Sequence, residues 1–167
     1  MPRPPSTGFW LDLAADPRDL RAVERRLAKM ADRAIDMRPA MQMVKQVMTE
    51  GHIKNFESQG TEFGGKWPLN APGTVARKLR MGQGTEPMKA TGALEKAIHG
   101  GKGRRTRVGK TSVRVGVSLP QARYNLIGSY TAATNSRRPR RATIGMSRGT
   151  RSRALEICER FIVEGLL

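Results

Sequence analysis

The chain has 167 residues, 38% of them apolar and 5% aromatic, which suits one domain with a modest core of aliphatic and methionine side chains. Its 31 basic and 14 acidic residues give a net charge of +17, which indicates an anionic partner or an assembly rather than an ordinary enzyme of this size. A single cysteine, Cys158, excludes an internal disulfide, and no apolar run approaches the roughly 18 residues of a membrane span, which predicts a soluble protein made in the cytoplasm.

The first residues predict an extended arm ahead of the domain. Residues 1–8 are rich in proline and too short and polar for a signal peptide, and such an arm is either disordered alone or lies on a neighbour in an assembly. Residues 9–13 predict a short strand. Residues 9–167 are predicted to form a single domain.

Two helices are predicted next, each with an apolar face. Asp16 and Pro17 suit the N-cap and first position of a helix. Its apolar side chains recur at intervals of three and four and are expected to face the core: Leu20, Val23, Leu27, Met30 and Ala34. A second helix over residues 37–56 has a wider apolar face, which predicts burial against more than one element. Its methionines suit either ordinary core, the more frequent role, or an adaptable partner surface.

A cluster of aromatic and glycine residues follows the second helix. Phe63 and Trp67 are two of only eight aromatic residues, and the glycines between them suit a tight turn with positive φ. Pro68 fixes the exit of this turn. A buried Trp67 is therefore expected to anchor the loop against the helices, with a later Thr-Gly-Ala-Leu segment completing the anchor: Phe63, Gly64, Gly65, Trp67, Pro68, Thr91, Gly92 and Leu94.

The rest of the chain predicts short elements. Thr74 is expected to cap a helix through Arg80, residues 82–90 to form a flexible link, and Thr91 to cap a helical turn through Ile98. From residue 104 the apolar period becomes two, which predicts a hairpin turning at residues 109–110. A helical turn over 121–127, a basic loop over 136–141, a strand over 142–146 and a closing helix from 152 follow. These elements predict an α+β fold in which two N-terminal helices pack on a small antiparallel β-sheet with a closing C-terminal helix.

The chain offers no pattern that predicts catalysis, a metal or a cofactor. Residues 60–66 have P-loop spacing, but Trp67 stands where a hydroxyl must reach magnesium, and residues 103–111 have one residue too many between the glycines. His52 and His99 lack partners at metal-ligand spacing. Cys158 lies on an apolar helical face, which favours a small buried hydrophobic role over a nucleophile. We therefore expect a non-enzymatic protein.

Basic residues dominate the C-terminal part of the chain. No acidic residue lies between Glu95 and Glu156, and this segment holds fifteen lysines and arginines. A solvated face, a sequence-independent nucleic-acid surface and an assembly surface facing acidic neighbours are the three interpretations, and repulsion disfavours the first. Few aromatics lie here, which argues against single-strand binding. The candidate basic surface comprises Arg104, Arg105, Arg107, Lys110, Arg137, Arg138, Arg140 and Arg141.

A set of motifs over about residues 20 to 147 resembles the bacteriophage virion morphogenesis family, whose members are tail-completion or neck proteins. The order is a helix ending in Phe56, Phe-Gly-Gly-Lys-Trp-Pro over 63–68, a Thr-x-x-x-Lys turn over 74–78, and Thr-Gly-Ala-Leu over 91–94. Val-Arg-Val-Gly over 113–116, Ala-Arg-Tyr over 122–124 and Pro-Arg-Arg over 139–141 also fit. The chain departs from the pattern at 125–128, where Asn-Leu-Ile-Gly replaces His-Gln-x-Gly.

The resemblance implies a structural virion protein of the head-to-tail joint, located in the neck or at the top of the tail. It implies a ring homo-oligomer, expected to be a hexamer, that contacts head-closure or connector proteins and tail-tube or terminator proteins. Its basic surface is expected to face either acidic neighbours or the genomic DNA in the channel. No cofactor and no membrane contact are implied. The alternative expectation is a sequence-independent double-stranded DNA-binding protein.

Overall fold

The computed structural model describes residues 16–127, 129–131 and 136–165. Its helices are α1 (Pro17–Ile35), α2 (Arg38–Glu57), α3 (Pro72–Arg80), α4 (Ala93–Ile98), α5 (Pro120–Ile127) and α6 (Arg148–Glu164), with a 3-10 turn at Thr61–Phe63. Strands β1 (Arg104–Val108) and β2 (Val113–Val117) form an antiparallel hairpin, and β3 (Ser129–Thr131) and β4 (Ser136–Arg138) form a second antiparallel pair. The predicted α+β class is confirmed. The predicted arm (1–8) and strand (9–13) lie outside the described residues.

Helix α2 is the centre of the fold. It packs against α6, the β1–β2 hairpin, α4 and the 3-10 turn, as its wide apolar face predicts. One end of α2 joins a cluster of Met41, Val44 and Ala154, and the other joins a cluster around Phe56 and Trp67. Gly51 lets α6 approach closely, because a Cβ at this position would lie 2.8 Å from Thr150 Oγ1.

Helix α1 begins as predicted but does not bury its apolar stripe. The Asp16 side chain accepts a hydrogen bond from the Arg18 amide, and Pro17 is the first helical residue. The expectation that the stripe faces the core is wrong, because Leu20, Val23 and Leu27 are 51%, 54% and 58% exposed. No residue of α1 is buried. The reason is that α1 packs along α6, while α2 takes the place against the hairpin.

Two predicted helix caps are wrong. Helix α3 begins at Pro72 with Ala71 as its N-cap, so Thr74 lies inside the first turn. Helix α4 has Gly92 as its N-cap, in the left-handed region at φ 73°, and Thr91 precedes it. In α3 a proline supplies the preset φ of a first helical residue, and in α4 a glycine adopts a positive φ that threonine avoids.

The segment after β4 is irregular and forms no strand in the described backbone. Residues 136–141 were expected as loop, yet 136–138 pair with 129–131, and the strand expected over 142–146 is absent from the described backbone. Side chains take the carbonyl groups that a ladder would need. Ala142 O accepts from Asn55 Nδ2 at 2.9 Å and from Trp67 Nε1 at 3.1 Å, and Gly145 O lies 3.0 Å from His52 Nε2. The segment thus lies across α2 as a side-chain-bonded strap.

Side chains outside the 82–90 link donate hydrogen bonds to its backbone carbonyl groups. Lys78 is buried, and its ammonium donates to Glu86 O at 2.8 Å and to Lys89 O at 2.6 Å. Asn70 Nδ2 donates to Thr85 O at 2.7 Å. Burial and the nearby cations Arg141 and Arg77 lower the pKa of Lys78.

Among the described helices, none has the length and apolar character to cross a membrane.

Candidate anion-binding surface

Trp67 anchors the central loop, as its position between glycine pair and proline predicts. Its ring is 4% exposed and meets Phe56 edge to face, with 5.4 Å between ring centroids. Its indole N–H donates to Ala142 O, so the one polar atom of the buried ring is satisfied. Leu94 is buried in the same cluster. The loop after α2 is therefore closed over the core by one large side chain.

Three glycines shape the loop that positions this ring. Gly64 and Gly65 have φ values of 109° and 154°, which confirms the expected positive φ. Gly60 has φ 100°, and a Cβ there would lie 2.3 Å from the Trp67 ring. Gly60 is thus required both for its conformation and for the space that the indole occupies. The sequence pattern did not single out this residue.

The remaining anchor residues contribute unequally. Phe63 is half-buried, stands edge to face on His52 at 5.6 Å and covers Gly145, where a Cβ would lie 3.2 Å from its ring. Pro68 and Thr91 are exposed. Pro68 fixes the backbone at the exit of the turn through its ring.

The sequence reasoning did not single out Asn55, and it weighed His52 only as a metal ligand and not as a buried side chain. Asn55 is fully buried, receives the Phe63 amide on Oδ1 at 3.1 Å and donates to Ala142 O. His52 is buried, and burial lowers the pKa of its imidazole. Two polar side chains on the apolar face of a helix, three residues apart, are the signal that was available.

Two of the predicted basic residues are used inside the molecule. The Arg141 guanidinium donates to Pro68 O at 2.7 Å and to Leu69 O at 3.2 Å, and burial lowers its pKa. It therefore fixes the exit of the Trp67 loop. Arg104 donates to Ile98 O at 2.8 Å and to Thr49 Oγ1, which ties β1 to α4 and α2.

The outward face of the hairpin carries the exposed cations. Val108 and Val113 pack on the core, so the residues that alternate with them face outward. Arg105, Arg107 and Arg114 are exposed on this face, and Arg107 pairs directly with Arg114 across the strands. Like charges directly opposite each other destabilise a hairpin. Within the described residues, no carboxylate lies within 4.0 Å of these guanidinium groups.

The remaining residues of the predicted basic surface lie outside the outer face of the hairpin strands. Lys110 is exposed in the hairpin turn, where its carbonyl accepts the Met37 amide at 2.8 Å. Arg140 is exposed beside Arg141. Arg137 and Arg138 lie in β4, and their side chains are outside the described part of the structure. The candidate surface supported by geometry is therefore the outer hairpin face, which we call the arginine face: Arg105, Arg107 and Arg114.

The chemistry of this face is that of an anion receptor. Arginine holds its charge at every physiological pH and forms bidentate pairs with phosphate or carboxylate.

Cys158 is half-buried in the α2–α6 cluster, and burial raises the pKa of its thiol, which disfavours the reactive thiolate. Across the described ranges, no group of three or more histidine, cysteine, aspartate or glutamate side chains is arranged to hold a metal.

Comparisons with known proteins add no relative. No family model, curated protein or solved structure matches the chain.

Proposed function

We propose that this chain is a structural phage virion protein of the head-to-tail joint, assembling as a ring at the neck or the top of the tail. The motif set around Phe63–Pro68 supports the family, and the exposed stripe on α1 supports the assembly. A helix that leaves Leu20, Val23 and Leu27 half in water is incomplete as a monomer surface. Rings form through heterologous contacts, in which an element of one subunit enters a different surface of the next.

In this proposal the arginine face meets an anion supplied by the assembly. Acidic patches on neighbouring rings and the DNA that passes through the channel both offer carboxylate or phosphate groups. Either would relieve the repulsion between Arg107 and Arg114. The mechanism is joining and sealing, with no bond made or broken.

Electron microscopy of the purified protein, alone and mixed with tails, tests the proposal. Rings of uniform diameter, alone or at one end of the tail, are expected. A protein that stays monomeric in both samples would contradict it.

A second candidate is a sequence-independent double-stranded DNA-binding protein, which the arginine face favours. Binding through phosphates would weaken steeply with salt, with a log–log slope of about −0.9 for each phosphate neutralised. A gel shift across a salt series measures this slope. Strong, salt-dependent binding by a protein that forms no ring would favour this candidate over the first.

A further inference from the structure

The arginine face occupies three of the four outward positions of the β1–β2 hairpin. Arg107 lies opposite Arg114, and Arg105 lies opposite Gly116, which fills the fourth position. Outward residues of one strand are about 6.8 Å apart, and paired strands lie about 4.8 Å apart. The four positions therefore form the corners of a small plate, with guanidinium side chains at three corners and only a glycine at the fourth.

Neither backbone conformation nor packing requires the glycine at residue 116. Gly116 is not among the described glycines with a positive φ, and apart from its chain neighbours a Cβ there would meet only Arg105 O, at an ordinary distance of 3.9 Å. Gly60 differs, since its φ is 100° and a Cβ would lie 2.3 Å from the Trp67 ring. Glycine inside a strand weakens the strand, because it has no side chain to pack and loses more backbone entropy on folding. Gly116 therefore weakens β2 without a compensating contact in the described part of the fold.

A ligand that approaches the backbone closely accounts for such a glycine. The space above Gly116 is bounded by Arg105 across the strands and by Arg114 two residues earlier in β2. Both arginines are exposed, and within the described residues no carboxylate lies within 4.0 Å of either guanidinium group. An anion over Gly116 would therefore have two guanidinium groups beside it and no side chain beneath it.

The composition of the face favours a phosphate backbone over an acidic protein. Protein interfaces have an apolar or aromatic centre, whereas protein–DNA interfaces are more polar and strongly positive. The four outward positions hold arginine and glycine only, and the hairpin from 104 to 117 contains five basic residues and no acidic one. Without an aromatic side chain, the face also lacks the stacking platform that binds single strands. The anion that fits this face is the backbone of a duplex.

We propose that the arginine face binds the phosphate backbone of duplex DNA, and that Gly116 leaves the space in which one phosphate group reaches the hairpin backbone. The contact rests on the proposed function, in which DNA passes through the ring, and it names that DNA as the anion. The outer hairpin face then forms part of the channel wall. Two features that weaken the hairpin, the Arg107–Arg114 pair and Gly116, have one explanation in this contact.

Substitution of Gly116 separates close approach from charge, because it leaves the net charge unchanged. Gly116→Val should raise the urea midpoint of the full chain, because valine favours a strand. It should also raise the Kd for a short duplex of mixed sequence about tenfold or more, because the side chain would occupy the place of one phosphate. Gly116→Ala should change both quantities in the same direction by less, so it tests the contact even if valine does not fit the hairpin.

Gly73→Val is the matched control for these variants. It is the same substitution at an exposed glycine of α3 with open space around it, and it should leave the Kd for the duplex unchanged. A Kd that stays at the value of the unaltered chain in both Gly116 variants would overturn the proposal.

Salt and competition identify the anion. Arg107→Gln should make the slope of log K against log[salt] less negative by about 0.9, the value for one phosphate contact. Poly-glutamate should displace the duplex less well than unlabelled duplex does at an equal concentration of charge. Equal displacement by poly-glutamate, with a Kd for poly-glutamate that also rises in Gly116→Val, would assign the face to an acidic protein and overturn the proposal.

Electron microscopy of the same preparations keeps this contact separate from the proposed function. Rings of an unaltered chain that binds no duplex would overturn the contact and leave the proposed function standing. Duplex binding with the expected losses, by a chain that forms no ring alone or on tails, would support the contact and contradict the proposed ring.

Discussion

Helices α1 and α2 each show an apolar face in sequence but have opposite surroundings in the fold. Val44 of α2 is 5% exposed, whereas Val23 of α1 is 54% exposed. The difference arises from partners, because α2 packs on the hairpin and on α6, while the main contacts of α1 are with α6. Periodicity therefore predicts that a helix has an apolar face, and it does not reveal whether the same chain covers that face. The hairpin repeats this contrast, with valines facing inward and arginines outward.

The largest expected effect is at the anchor that closes the buried side. Trp67→Ala should lower the free energy of unfolding by about 3 to 5 kcal/mol, because the ring is buried and its indole N–H is bonded. Leu69→Ala, at a position that is 78% exposed, is the control and should change stability by less than about 0.5 kcal/mol. Urea denaturation measures both. Unchanged stability of the Trp67 variant would refute the anchor role.

A pair of identical substitutions compares the two helices directly. Val44→Ala should lower the free energy of unfolding by about 1.5 to 3 kcal/mol, because it removes two buried methyl groups. Val23→Ala should stay within about 0.5 kcal/mol of the unaltered chain, because the side chain is exposed and alanine favours a helix. Measurements at low protein concentration keep association from stabilising α1. Equal losses in the two variants would show that α1 is covered within one chain.

Particular residues show how far the sequence could predict this structure. Three local signals predicted features that the structure confirms. They are Asp16 with Pro17 at the start of α1, the change of apolar period at residue 104 and the paired glycines beside Trp67. The strand expected over 142–146 does not form, because the distant side chains of Asn55 and Trp67 donate hydrogen bonds to the Ala142 carbonyl. Arg141 likewise reads as a surface cation, although its guanidinium bonds carbonyl groups 72 and 73 residues away. Tertiary partners of this kind are not encoded in local spacing.

A third test uses pH on the buried side. Burial lowers the pKa of His52 in the folded chain below its ordinary value of 6.5. The unfolded chain therefore binds a proton more readily, and stability falls as the pH drops through about 6.5 toward the folded pKa. His52→Gln should flatten this part of the stability–pH profile, as urea denaturation between pH 7.5 and 5 would measure. A profile that keeps its full slope in the variant would assign the acid sensitivity to other groups.

The smallest effect on the free energy of unfolding is expected on the arginine face, which is the exposed face of the hairpin. Arg114→Glu should raise the free energy of unfolding by about 0.2 to 1 kcal/mol, because it replaces a like-charge pair with Arg107 by an opposite-charge pair. Arg105→Glu is the matched control: it makes the same charge change on the same face, but the residue directly opposite Arg105 is Gly116, so no directly opposed like-charge pair is relieved. Both variants should weaken binding to an anionic partner, measured with duplex DNA at low salt. We expect the Arg114 variant to gain stability and lose binding, and the Arg105 variant to lose binding only. That result would show that the arginines serve contact with a partner and destabilise the fold. Equal stability of the two variants would contradict it.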